Sequence, residues 1–258
     1  MRLDIPHQHS QTATGDTLTC GETEMRKCNM VMTMTVTIFL STLTMAMADP
    51  GDNQTELQRA KCQIPSQVVE RLQAQLATVV KLPDSNGGLF SPNRMWSAVV
   101  DRVGTLCSVI VTGDAWPGSR AIAIAKASTG NDFSNDASAL STANLYTPTQ
   151  PGGFLYGLNN SNPFNPLFLP QGTGIGFVPG GIITFGGGLA LYSGGKVIGG
   201  LGVSGDTSCA DHAIAYRMRR LAGLDGTPNS DNIVYLGPSD EPNVGFKQPH
   251  CTKDDITP

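Results

Sequence analysis

Gly186-Gly187-Gly188-Leu189-Ala190-Leu191-Tyr192-Ser193-Gly194-Gly195-Lys196-Val197-Ile198-Gly199-Gly200-Leu201-Gly202-Val203-Ser204-Gly205 is the stretch that decides the fold. Leu189 to Tyr192 and Val197 to Ser204 read as two strands, and Ser193 to Lys196 as the tight turn between them. Strands joined by so short a turn are antiparallel. The three glycines ahead of the hairpin allow a sharp bend or a close approach of backbone to backbone. Behind it, Gly205 to Ser208 leads into a helix from Cys209 to Gly223, with Asp206 or Thr207 as N-cap and Gly223 at the C-terminal end.

Upstream, Val68, Val69, Leu72, Leu76, Val79 and Val80 fall at helical spacing after Pro65-Ser66. Met95 to Asp101 and Thr105 to Thr112 are two strands across an Asp101-Arg102-Val103-Gly104 turn. Gly113 to Ser119 is a loop, Arg120 to Thr129 a helix, and Ser138 to Leu145 a further helical piece. Gly181 to Phe185 adds a short strand. The fold class is therefore α+β, a single antiparallel sheet of about five strands with helices packed on it.

The chain has 258 residues, which suits one domain. Hydrophobic residues make up 40%, enough for a core; charged residues make up only 15%. That low charge fits polar Gly, Asn, Ser and Thr loops or surface covered in an oligomer. The formal net charge of −4 and the lack of a basic run exclude an electrostatic footprint for nucleic acid.

Met25-Arg26-Lys27, an uncharged stretch from Cys28, and Ala46-Met47-Ala48 before Asp49 form the three parts of a signal peptide, 25–48. A membrane anchor is the alternative reading, against which the Thr and Ser content and the small-residue exit argue; cleavage there leaves no stable membrane insertion and a single domain over 49–258, in a periplasmic or secreted protein. Residues 1–24, with His7, His9 and Cys20, read as a non-native or disordered extension ahead of a start at Met25. Within the domain, 146–179 is a long irregular loop rich in Pro and Gly, and 225–258 is a tail.

Four cysteines follow the signal: Cys62, Cys107, Cys209 and Cys251. An even number in an exported chain points to disulfides, and four allow three pairings. Topology favours Cys62 with Cys107 and Cys209 with Cys251, each bond contributing roughly 2–4 kcal/mol. A zinc site from Cys209, His212 and Cys251 is the competing reading; there is no CxxC spacing to support it, and no metal site is expected.

Two blocks are similar to the GlcG/HbpS-like family. One is Phe185-Gly-Gly-Gly-Leu-Ala-Leu-Tyr192 with Lys196-Val-Ile-Gly-Gly-Leu-Gly-Val-Ser-Gly205; the other is Ala98-Val-Val-Asp101, Gly104, Gly113-Asp-Ala-Trp-Pro-Gly-Ser119 and Ala121-Ile-Ala-Ile-Ala-Lys-Ala127. The resemblance implies helices on a sheet, homo-oligomers, and haem binding or degradation in some members. The expected function is haem capture, storage or sensing by an exported protein. The alternatives are a member of the same fold that binds or transforms a small carboxylate metabolite, and a ligand-free oligomeric scaffold.

Haem needs an apolar slot and usually an axial His, Cys, Met or Tyr. His212, in the first turn of the last helix, is the candidate ligand; a surface histidine is its plain reading. Tyr192 and Tyr216 are substitutes, and His250 belongs to the tail. Gly186, Gly187, Gly188, Ser204 and Gly205 are candidate backbone-amide donors to a carboxylate or a haem propionate, the last two leading into a helix N-terminus. Their plain reading is turn geometry. Lys126 and Arg120 are candidate propionate partners. Ser204 lies in Gly-x-Ser-Gly rather than a nucleophile elbow, and no catalytic residue is assigned.

Overall fold

The computed structural model describes residues 59–90, 93–165, 172–226 and 230–258. The extension 1–24 and the signal peptide 25–48 lie outside the described residues. Those described form one compact unit between Asn53 and Pro258. Element order is α1 (Ser66–Val79), β1 (Trp96–Asp101), β2 (Leu106–Val111), α2 (Ser119–Asp132), β3 (Gly188–Ser193), β4 (Lys196–Ser204) and α3 (Ser208–Leu221).

The four strands form one antiparallel sheet in the order β2-β1-β4-β3. Period-two alternation sorts β1 between two cores. Trp96, Ala98 and Val100 face α2 with Ala123, Ile124 and Ala127. Met95 and Val99 face α1 and α3, joined by Leu189, Leu191, Leu201 and Val203. The sheet is thus covered on both sides, by α2 on one and by α1 with α3 on the other. Full burial of each such aliphatic side chain contributes about 1.5–3 kcal/mol.

Ser97 points to the α1 side and donates to Gln73 Oε1 at 2.6 Å, and Gln73 Nε2 returns a bond to the Ser97 carbonyl. The turn after β1 is held by Asp101, whose carboxylate accepts the amides of Val103 and Thr105.

α3 begins with Thr207, whose hydroxyl accepts the Ala210 amide. It ends at Gly223 with φ +65°, the Leu224 amide reaching back to the Arg219 carbonyl and the Gly223 amide to that of Arg220. This is a Schellman ending.

Two segments differ from the sequence expectation. Gly181 to Phe185 joins no strand: the Ile183 amide bonds the Thr129 hydroxyl, and the Thr184 hydroxyl meets Thr149. A side chain has taken the Ile183 amide that a ladder would use, and among the described residues the sheet has four strands. Ser138 to Leu145 is not helical either. Asn144 Oδ1 accepts both the amide and hydroxyl of Ser141, and Thr142 exchanges bonds with Gly188. Local side-chain bonds have outcompeted a helix.

Both disulfides join the cysteines that topology paired, Cys62 with Cys107 and Cys209 with Cys251. Part of the long loop returns to the sheet: Phe177 and Gly176 exchange backbone bonds with Leu106, and Phe164 packs against the α2-side core.

α2 lies on β4 with almost nothing between them. A Cβ on Gly200 would collide with the Ala127 carbonyl, and one on Gly202 with the Ala123 carbonyl. Gly202→Ala is therefore expected to destabilise the protein by about 3 kcal/mol, the upper range for overpacking. Gly118→Ala, where a Cβ meets no atom within 4 Å, is expected to lie within about 0.5 kcal/mol of wild type. Urea midpoints of the two variants check the contrast.

Candidate functional site

The close approach of α2 carries Lys126 into the interior, fully buried. Its Nζ lies 2.6 Å from Asp211 Oδ2 on α3 and 3.1 Å from the Val203 carbonyl. The Phe185 ring lies 4.9 Å away. Burial pushes both partners toward their neutral forms. The Lys126 ammonium is held below its ordinary range, and the Asp211 carboxyl is raised to about 6 because desolvation outweighs the attraction of Lys126. Lys126 is thus committed within the core.

The glycine run serves the same junction. A Cβ on Gly187 would meet the Val203 carbonyl and Lys126 Nζ, and one on Gly188 the Lys126 carbonyl. The Gly186 amide donates to Gln248 Oε1 at 2.6 Å and the Gly188 amide to the Thr142 hydroxyl at 2.8 Å. These amides are occupied by the protein itself.

His212 is not a surface residue; it is fully buried. Neither ring nitrogen finds a hydrogen-bond partner of good geometry, although Asn232 lies near enough to favour a charged ring. Burial drives the imidazole down to about 4. Tyr216 stacks beside it at 6.1 Å. Tyr192 is also buried and donates to the Asn135 carbonyl. Arg120 is buried and bonds the Thr173 carbonyl at 2.6 Å. His250 is exposed, stacks on Tyr235 at 4.3 Å and pairs with Asp255. The disulfide removes the Cys209 and Cys251 thiols from the zinc reading.

A cleft of about 530 Å³ opens where β4 ends. It is lined by Leu89, Phe90, Arg94, Asp114, Ala115, Trp116, Pro117 and Gly205. Trp116 is 60% exposed and Phe90 55%, their rings edge to face at 6.4 Å. The Trp116 carbonyl accepts Trp96 Nε1 at 2.9 Å, anchoring the loop to β1. Ser204, buried at the end of β4, precedes the Gly205 floor. Larger recesses beside Cys62–Cys107, about 610 Å³, and near Leu82 and Leu221, about 660 Å³, have no aromatic lining.

Of the site residues proposed from sequence, Gly205 lines this cleft; Lys126, Ser204, His212 and the three glycines are buried and do not line it. Leu89, Phe90, Arg94 and Asp114 were missed. The Gly113 to Ser119 loop was visible as a loop with a tryptophan, but nothing in sequence places Phe90 against it.

Asp206 joins cleft to core. Its carboxylate accepts the Leu89 and Phe90 amides, each at 2.8 Å, while its own amide donates to Asp211 Oδ1 at 3.0 Å.

Asp211 and His212 give opposite pH dependences. The folded protein binds the Asp211 proton near pH 6 and the unfolded chain near 3.8, so this group's contribution is present below 3.8 and lost as pH rises through 6. For His212, depressed from 6.5 to about 4, the contribution is present above 6.5 and lost as pH falls through 4. The two contributions oppose each other in wild type. Between pH 6 and 4, His212→Leu is expected to gain stability and Asp211→Asn to lose it, relative to wild type. Denaturant titrations at pH 4, 5, 6 and 7 read both slopes.

Residues 92–219 match the sequence profile of the family described as haem degrading protein HbpS-like. No curated protein matches the chain. Similar solved structures include Klebsiella pneumoniae protein ORFY, at 24% identity over 63% of this chain and 92% of that one, TM-score 0.46. The PduOC:heme complex is 26% identical over 61% and 94%, TM-score 0.46. A double mutant of Streptomyces reticuli HbpS is 16% identical over 65% and 91%, TM-score 0.43. Through its residues 92–219, this chain belongs to the HbpS-like family.

Proposed function

We propose that this chain is an exported haem-binding protein that captures haem in the cleft between Phe90 and Trp116. The observation that carries the reading is that exposed aromatic pair, with Arg94 beside it, around a recess otherwise walled by Leu89, Asp114, Ala115, Pro117 and Gly205. Large aromatic faces left in water are characteristic of binding surfaces. Haem is a flat apolar plate with two carboxylates, so it calls for apolar walls and a cation. The family match supplies the same direction independently.

The residues present fit the macrocycle and one propionate. Leu89, Phe90, Trp116 and Pro117 would cover the ring, and the Arg94 guanidinium would meet a carboxylate. Among the described residues the cleft lining holds no His, Cys, Met or Tyr, so none of them offers the iron an axial ligand there. When bound, haem would supply a redox-active iron; the chain's own contribution is to shelter the ring and orient it by one edge. Gly205 belongs to the proposed site as its floor. Lys126 and Gly187, which meet the Val203 carbonyl, act on it through the packing that fixes the end of β4; Ser204, His212, Gly186 and Gly188 are buried and do not line it.

Two disulfides support this reading, because such bonds persist in oxidising compartments. Among the described residues no helix is long and apolar enough to cross a membrane. A homo-oligomer is part of the proposal: β2 carries half-exposed Val109 and Ile110 and exposed Val111 on an edge strand without a charged residue.

Haemin titration of the disulfide-intact protein is expected to give a saturable Soret shift. Trp116→Ala and Arg94→Ala are each expected to weaken it about tenfold, or about 1.4 kcal/mol. A shift abolished only by His212→Ala would return the ligand to that histidine and displace the cleft. No saturable shift, with an Arg94-dependent uptake of a small carboxylate such as glycolate, would favour the metabolite reading. Neither binding would leave the scaffold.

A further inference from the structure

We infer that Asp206 is a positioning residue for the cleft, a clasp that holds the Leu89–Phe90 wall against Trp116 and is itself seated by Asp211 and Lys126. This deepens the haem reading and rests on it for the ligand.

The wall cannot hold itself. Leu89 is 62% exposed and Phe90 55%, so burial contributes little to fixing either. What fixes them is a pair of bonds from consecutive amides to Oδ1 and Oδ2 of the Asp206 carboxylate. Charge-assisted bonds of this length are about twice as strong as neutral ones. Gly88 makes the grip possible, because a Cβ there would stand 2.8 Å from Asp206 Oδ2.

The clasp has a rigid base. The Asp206 amide donates to Asp211 Oδ1, and Asp211 Oδ2 holds Lys126 Nζ at 2.6 Å. Lys126 and Asp211 are both at least 98% buried, on α2 and α3. The chain Lys126–Asp211–Asp206 therefore ties a solvent-facing wall to the two helices on opposite faces of the sheet. Asp206 and Gly205 are consecutive, so the residue that holds the wall also borders the floor.

Asp206→Ala and Asp206→Asn, with both disulfides intact, test the clasp. Amide hydrogen exchange reads the wall and haemin titration reads the site. In Asp206→Ala the protection of Leu89 and Phe90 is expected to fall at least tenfold, with that of Val99 and Leu201 in the sheet unchanged, and haemin affinity to fall at least tenfold. Asp206→Asn keeps one acceptor oxygen and is expected to lie between, which serves as the conservative rescue and guards against a misfolded alanine variant. Unchanged protection at Leu89 and Phe90 would overturn the clasp. So would lost protection with wild-type haemin affinity. A wild type that takes up no haemin overturns the functional reading alone; the clasp then stands or falls on the exchange rates.

Discussion

The contact of α2 with β4 sets the terms for the rest of the molecule. The carbonyls of Ala123 and Ala127 lie where any Cβ on Gly202 or Gly200 would have to be. A helix this close to a sheet leaves no room for a layer of side chains, so the alanines of α2 are as much a requirement as the glycines. Such a contact gains dispersion energy from backbone atoms and loses it abruptly with any added volume. It also leaves Leu201 and Val203, the alternate residues of β4, to make the core on the opposite face. One strand thus serves as a spacer on one side and as core on the other.

A consequence is the placement of charge. With α2 pressed onto the sheet, Lys126 has no route to solvent, and a buried ammonium needs a partner. Asp211 comes from α3 across the end of the sheet, and Gly187 makes the space where they meet. A buried pair of this kind is weak evidence of stability, since desolvation offsets much of the attraction. Its value here is geometric: it fixes α2 relative to the start of α3. A second buried pair, Arg219 with Asp231, ties the far end of α3 to the tail. His212 follows Asp211 on α3, buried, with neither ring nitrogen in a hydrogen bond of good geometry.

The sequence and the structure agree where local rules govern. The hairpin of β3 and β4, the helical periodicity of α1, the Thr207 cap and the Gly223 ending all follow from residue type and spacing. The cysteine pairing was legible because topology leaves each cysteine one convenient neighbour. Disagreement falls where side chains replace backbone partners. Thr129 and Asn144 capture amides of segments that composition alone would call strand or helix. The candidate site was the least legible part. Gly-rich runs resemble ligand cradles in sequence, yet here they accommodate the protein's own carbonyls. His212 and Lys126 are attractive as chemistry and inaccessible as geometry. Phe90 and Arg94 carry no motif, and only the fold brings them to Trp116.

The wall that makes the cleft is supported from two directions, and this connects the tail to the site. On one side Asp206 holds Leu89 and Phe90. On the other, the backbone of Asp254 to Ile256 lies against Gly87, which takes φ +71° so that the chain can pass beneath it. That part of the tail is anchored at Cys251 by its bond to Cys209, in the first turn of α3, and by Asp255, which accepts the Cys251 and Thr252 amides. Both supports therefore originate at the N-terminal end of α3, within four residues of one another in sequence. The Cys209–Cys251 disulfide then does more than restrain a loose end: it fixes the backing of an exposed aromatic wall whose own side chains bury too little to stay in place. In a protein with an open recess, order at the rim has to come from covalent bonds and charge-assisted hydrogen bonds, because the hydrophobic effect acts there only after the ligand arrives.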